Sequence, residues 1–148
     1  MDAKIGAWVV TPRTGKPVEI NALWYNALEV MEQFARKLQH PAELYENQAT
    51  ATRSGFQRFL KPANGGLSDV LDGPDGDDDA VRPIQIFAVS LPFSPLSTTA
   101  QQAVVKICGT ALLTSHGLRS LASDHPRYIF CYHGNVSERD GAYHQGTV

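Results

Sequence analysis

The residues best equipped for chemistry lie in one stretch, Thr11 to Leu28. It carries a carboxylate, Glu19, two amides, Asn21 and Asn26, and two aromatic rings, Trp24 and Tyr25. Pro12, Gly15 and Pro17 precede them and break regular structure, and Pro17 biases Lys16 away from the α region. A helix entered through a rigid loop, with these groups near its start, can hold a hydroxyl-rich ligand. The same pattern also describes an ordinary amphipathic helix with a good N-terminus, because Glu19 sits where the helix dipole favours a negative charge. Two other groupings are weaker. Asp75, Asp77 and Asp79 mimic the opening of a calcium loop, but Ala80 stands at the glycine position and Ile86 at the bidentate glutamate position, so the run reads as a solvated loop. Cys108 and Cys131 have no Cys or His at ligand spacing beside them, and they read as free, buried thiols rather than as a metal site.

The elements that must position these groups read as helices. Ile20, Leu23, Trp24, Ala27, Leu28, Met31, Phe34, Ala35 and Leu38 recur at three- and four-residue spacing, which predicts a helix over Glu19 to Gln39 with those residues on one core-facing side. A second helix is expected from Glu43 to Leu60, a third from Arg82-Pro83 to Leu91, and a fourth from an N-cap at Ser97 to about Thr114. Residues 66–80 and 114–141 read as long loops, the second rich in aromatics. No alternating strand pattern competes, so the expected class is all-α. Four helices joined by loops this long fit a larger helical array, whose loops gather on one face to build a site, better than they fit a four-helix bundle.

At 148 residues, 43% of them hydrophobic, the chain is the size of one ordinary domain. A net charge of −2 gives no basic stripe for nucleic acid or anionic membrane. No apolar run is long enough to span a bilayer, and Met1-Asp2-Ala3-Lys4 begins no signal peptide, so the expected location is the cytoplasm.

Several motifs, in order, carry a resemblance. They are Met1-Asp2-Ala3-Lys4, Trp8-Val9-Val10-Thr11-Pro12-Arg13, Gly15 through Leu28, Arg82-Pro83, Phe87 through Leu96, Leu113-Thr114 with Gly117-Leu118-Arg119, and Arg139-Asp140-Gly141-Ala142-Tyr143-His144-Gln145-Gly146-Thr147-Val148. Over nearly its whole length the chain resembles the C-terminal glucosidase domain of glycogen debranching enzymes, the amylo-α-1,6-glucosidase family. The resemblance implies an (α/α)6 toroid of six helical hairpins, of which this chain would hold a part, incomplete at both ends. It implies inverting hydrolysis of the single glucose left at a branch point of glycogen or a limit dextrin, with no metal or organic cofactor. Asp2 matches the aspartate of the family's Trp-Met-Asp run and inherits the role of general acid. Arg13, Lys16, Glu19, Asn21 and Trp24 would form one wall of the glucose pocket, and Arg139, Tyr143, His144 and Gln145 a second.

The sequence departs from the family at three points. Ala7 stands where Gly-Asp-Trp has its aspartate, Ile84 where Arg-Pro-Asn-Gln has its asparagine, and the Trp-Pro-Trp that follows Gly-Thr-Val is missing after Val148. The chain is therefore expected to be a fragment, inactive in isolation. The alternatives are another inverting toroid glycosidase, trehalase-like or glucoamylase-like, and a non-catalytic all-α carbohydrate-binding or interaction remnant.

Overall fold

A computed structural model describes residues 4–61 and 65–147. Asp2 lies outside the described residues. The chain begins with a small hairpin, β1 (Lys4–Ile5) and β2 (Trp8–Val9). Strand β3 (Lys16–Pro17) leads directly into α1 (Val18–Lys37), which pairs with α2 (Glu43–Phe56). A 3-10 turn, Gln57–Phe59, closes α2. Strands β4 (Val70–Gly73) and β5 (Gly76–Asp78) follow. After them come a 3-10 turn, Pro83–Ile86, continuous with the short α3 (Phe87–Ser90), then α4 (Thr98–Ala111) and α5 (Val136–His144).

The helix starts follow their local chemistry. Extended Pro17 precedes α1, Glu19 lies in its first turn, and Arg36 and Lys37 lie in its last, so both ends complement the dipole. Ser97 caps α4 by accepting from the Ala100 N–H, as its position predicts. Pro83 opens the third helical segment, but half of that segment is 3-10 rather than α.

The class is mostly helical rather than all-α, because a three-stranded antiparallel sheet, β3-β4-β5, is present. Lys16 pairs with Leu71, Pro17 with Val70, and Val70 with Asp78. The strands hold two to four residues each, too few to show an alternating pattern. Residues 66–80, expected as loop, contain the β4-β5 hairpin; their Gly, Pro and Asp residues form its turn. Gly15 is required where it stands, since a Cβ there would lie 2.5 Å from the Leu71 carbonyl oxygen. The 114–141 stretch likewise ends in α5, whose capping box joins Asn135 and Glu138.

The core corrects one further expectation. The main cluster joins Val18 and Ala22 of α1 to Phe56, Phe59, Leu67, Leu71, Ala88, Val104, Cys108 and Leu112. A smaller cluster joins Tyr25 and Leu28 to Ala49 of α2. At the far end of the α1–α2 hairpin, Arg36 is ion-paired with Glu46. The buried face of α1 is thus Val18, Ala22, Tyr25, Leu28 and Ala35. Trp24, Phe34 and Leu38, expected in the core, are 54%, 53% and 68% exposed, and Ile20, Leu23, Ala27 and Met31 are exposed with them. Helical spacing identified an apolar stripe, but the sheet and α2 pack against the face beside it. Cys108 is buried, and burial pushes its thiol up to about 11; Cys131, expected to be buried, is exposed.

This arrangement sets different costs for the two faces. Leu28→Ala should lower the unfolding free energy by about 3 kcal/mol in urea denaturation, whereas Phe34→Ala should lower it by less than about 1 kcal/mol. Equal losses would place Phe34 in the core.

Candidate functional site

The start of α1, the residue before β4 and the turn before α3 meet around four charged side chains. Antiparallel pairing of β3 with β4 places Asp69 beside the helix entrance, where its carbonyl accepts from the Val18 N–H at 3.0 Å. The Asp69 side chain is 1% exposed. Arg13 Nε donates to Asp69 Oδ2 at 2.8 Å, and Arg13 Nη2 to Asp69 Oδ1 at 3.1 Å. The other edge of the same guanidinium grips Glu19, with Nη1 to Oε1 at 2.6 Å and Nη2 to Oε2 at 2.7 Å. Arg13 therefore bridges two carboxylates, a geometry that suits its planar fork and would not suit lysine.

Arg82 completes the group. Its Nε lies 3.5 Å from Asp69 Oδ2, without a hydrogen bond. Its Nη1 donates to the carbonyls of Ser120 at 3.1 Å and His144 at 3.0 Å, and its Nη2 donates to Gln145 Oε1 at 3.1 Å. Gln145 in turn donates to the Val10 carbonyl at 3.1 Å. Two cations and two anions thus balance in the interior, which is how buried charge is tolerated. Burial disfavours the Glu19 carboxylate, but the hydrogen bonds from Arg13 and from a backbone N–H hold it, on balance, below its ordinary 4.5. Burial raises the Asp69 carboxyl, while the charge of Arg13 and its hydrogen bond pull the other way.

A cleft of about 500 Å³ opens beside this network. Arg13, Glu19, Arg82, Ser120 and His144 give it polar edges; Leu23, Ile84 and Phe87 give it apolar walls. That mixture, in that volume, suits a small molecule that has both apolar faces and hydrogen-bonding edges. The apolar wall includes Ile84, where the resemblance implies asparagine.

The sequence-expected site residues divide into three groups. Arg13, Glu19 and His144 line the cleft, and buried Gln145 braces it from behind through Arg82. Lys16 is ion-paired with Asp72, an exposed pair that Arg58 joins. Asn21 donates to the Pro17 carbonyl within α1, Trp24 is exposed on the apolar stripe, and Arg139 and Tyr143 lie on exposed positions of α5. Asp69 and Arg82 are the residues that sequence reasoning passed over as site residues. Asp69 sits between Leu67, Ser68, Val70 and Leu71, all buried, and an acid inside such a run demands a cationic partner.

Among comparisons with known proteins, the model of the amylo-alpha-1,6-glucosidase family matches residues 1–148. The chain belongs to this family. No curated protein matches the chain. The match covers every motif that carries the resemblance, and the cleft is lined from five of those motifs: the one ending at Arg13, the Gly15–Leu28 run, Arg82-Pro83, the run that starts at Phe87 and the one containing His144. Among the described residues, no helix is long and apolar enough to cross a membrane.

Two measurements test the network. Asp69→Asn removes the shared anion and leaves two guanidinium groups with one carboxylate, so unfolding free energy should drop by about 3–5 kcal/mol. The pH dependence has a definite sign for Glu19. Its folded-state pKa lies below the unfolded value, so the unfolded chain binds more protons and stability falls as pH drops through that window. The Asp69 shift acts in the opposite sense. The Glu19 share is therefore the difference between wild type and Glu19→Gln, which should shrink as pH falls below 4.5.

Proposed function

We propose that this chain serves in glycogen debranching as an α-1,6-glucosidase, releasing the single glucose at a branch point by inverting hydrolysis, in the cytoplasm. The observation that carries this reading is the cleft at the α1 entrance, edged by Arg13, Glu19 and His144, in a chain matched by the amylo-alpha-1,6-glucosidase family from 1 to 148. In this reading the helices belong to an (α/α)6 toroid. The α1–α2 hairpin has the form of one of its repeats, and the exposed stripe from Ile20 to Leu38 is the kind of surface that a neighbouring hairpin covers.

Asp2 acts as the general acid, protonating the glycosidic oxygen as the bond to the branch-point chain breaks. A general acid at neutral pH needs surroundings that keep it protonated. Inversion also requires a second carboxylate, roughly 6.5–9.5 Å away, to activate water on the opposite face of the ring. Both oxygens of Glu19 are held by Arg13, so Glu19 is read as a sugar-binding group rather than as that base. Its carboxylate accepts from glucose hydroxyls along lone pairs that Arg13 leaves open, and His144 lines the same cleft.

One observation favours a second reading, a non-catalytic carbohydrate-binding module. Among the described residues, Glu19 is the one carboxylate that lines the cleft. The two readings separate in one assay of glucose release from a phosphorylase limit dextrin, run on this chain joined to the remaining hairpins of the toroid, since the chain in isolation is expected to release none. For the glucosidase, the first anomer released should be β, Asp2→Asn should cut the rate by at least about 100-fold, and Glu19→Gln should lower kcat/KM by roughly 10- to 100-fold. Binding of the dextrin with no release, unchanged by Asp2→Asn, would establish the binding module instead.

A further inference from the structure

A second cleft, of about 360 Å³, is lined by Arg119 and His116 together with Tyr128, Phe130 and Tyr132. It shares no lining residue with the α1 cleft. Arg119 sets its chemistry. Arg13 and Arg82, the two arginines drawn furthest inside, both meet Asp69, and the exposed Arg36, Arg58 and Arg127 each have a carboxylate partner. Arg119 is half-buried, yet among the described residues no carboxylate pairs with it. Its Nε donates to Tyr128 Oη at 3.2 Å, which leaves Nη1 and Nη2 without a hydrogen-bond partner among the described residues. A guanidinium withdrawn from water without an anion to compensate it is poised to accept one.

The surroundings narrow the kind of anion. No Asp or Glu lines the cleft, so nothing there repels negative charge. His116 adds a ring nitrogen, since Nδ1 lies 2.9 Å from Ser115 Oγ and Nε2 is left over. With the two Nη groups of Arg119, that makes donors enough for the oxygens of a phosphate, more than a carboxylate uses. The rest of the lining is aromatic. Phe130 is 83% exposed and Tyr132 57%, large apolar surfaces that water solvates poorly. Phe130 has no polar atom in its side chain, so what it offers is a face for another flat ring. The third ring, Tyr128, is fixed in advance. Arg119 holds its hydroxyl, the neighbouring Ile129 N–H donates to the Gln145 carbonyl at 2.8 Å, and Gly146, at φ +143°, passes so close that a Cβ there would collide with the ring. A guanidinium anchored to such a ring loses little freedom when a ligand arrives. The volume is that of a small-molecule site, and a net charge of −2 gives no basic path for a polynucleotide.

We propose that this cleft binds a phosphorylated aromatic molecule of the size of a nucleoside monophosphate. The flat ring stacks on Phe130 and Tyr132, and the phosphate accepts from Arg119 and His116. The site stands on its own lining and does not depend on the glucosidase reading of the α1 cleft.

The test uses the whole chain, with adenosine monophosphate, adenosine and inorganic phosphate as probes in isothermal titration. Adenosine monophosphate should bind at least about tenfold more tightly than either of its parts. Arg119→Gln should abolish its advantage over adenosine, and Phe130→Ala should weaken the nucleotide and the nucleoside alike. Because the Phe130 ring is mostly in water, that second variant should melt as the wild type does. A further measurement needs no variant. Cys131 also lines the cleft and is exposed, whereas Cys108 is buried, so saturating adenosine monophosphate should slow alkylation of Cys131 by iodoacetamide several-fold. Equal affinity for the nucleotide and the nucleoside, undiminished nucleotide binding by Phe130→Ala, or unaltered Cys131 alkylation would each overturn the proposal. Protection of Cys131 by maltotetraose in place of the nucleotide would overturn it as well.

Discussion

Asp69 is one carboxylate, nearly sealed from water, with an arginine on either side. Arg13 reaches it from the loop before β3, and Arg82 approaches it from the turn before α3. Buried charge is unfavourable unless its partners arrive together, so these segments are held in mutual register by electrostatics as well as by packing. Everything that edges the α1 cleft is attached to this point. Glu19 is aimed by the second edge of Arg13; the His144 carbonyl and the Gln145 amide are aimed by Arg82. The cleft is therefore a set of side chains fixed by a network in the interior, not a collection of independent surface groups.

Much of the helical framework was legible in the sequence because helix ends are local events. Pro17 and Glu19 at the α1 start, the Ser97 cap of α4 and Pro83 at the third segment each act within a turn of their own position. The sheet was not legible, because β3 acquires its partner more than fifty positions away and neither strand is long enough to alternate. Helix α5 was overlooked for a different reason. Its apolar residues are few, and its signal is the Asn135–Glu138 capping box, which was hidden in a stretch read as loop.

The site shows the same division. Glu19 and His144 were identified by resemblance, and the structure brings both to one cleft with Arg13. Asp69 and Arg82 escaped notice because their importance lies in being neighbours, a property that neither residue carries alone. The α1 stripe shows the limit of periodicity from another side. Spacing shows which residues share a face of a helix, but not which face the rest of the fold will cover. Val18, Ala22 and Tyr25 form a less conspicuous row than Trp24, Phe34 and Leu38, yet they meet the core. Small side chains at Ala22 and Ala88, both fully buried, allow α1 and α3 to approach closely.

The hydrogen bond from Gln145 to the Val10 carbonyl joins residues 135 positions apart. With Arg82 between them, it makes the back wall of the cleft a seam between the two ends of the described chain. A contact of that span is among the slowest to form, since nearly all of the intervening polypeptide must be ordered first. During synthesis, α1 and α2 can pair while the chain is still emerging, but the cleft has no back until Gln145 has left the ribosome. The back wall of the cleft therefore forms after the α1–α2 hairpin, because it waits on a contact of long sequence separation.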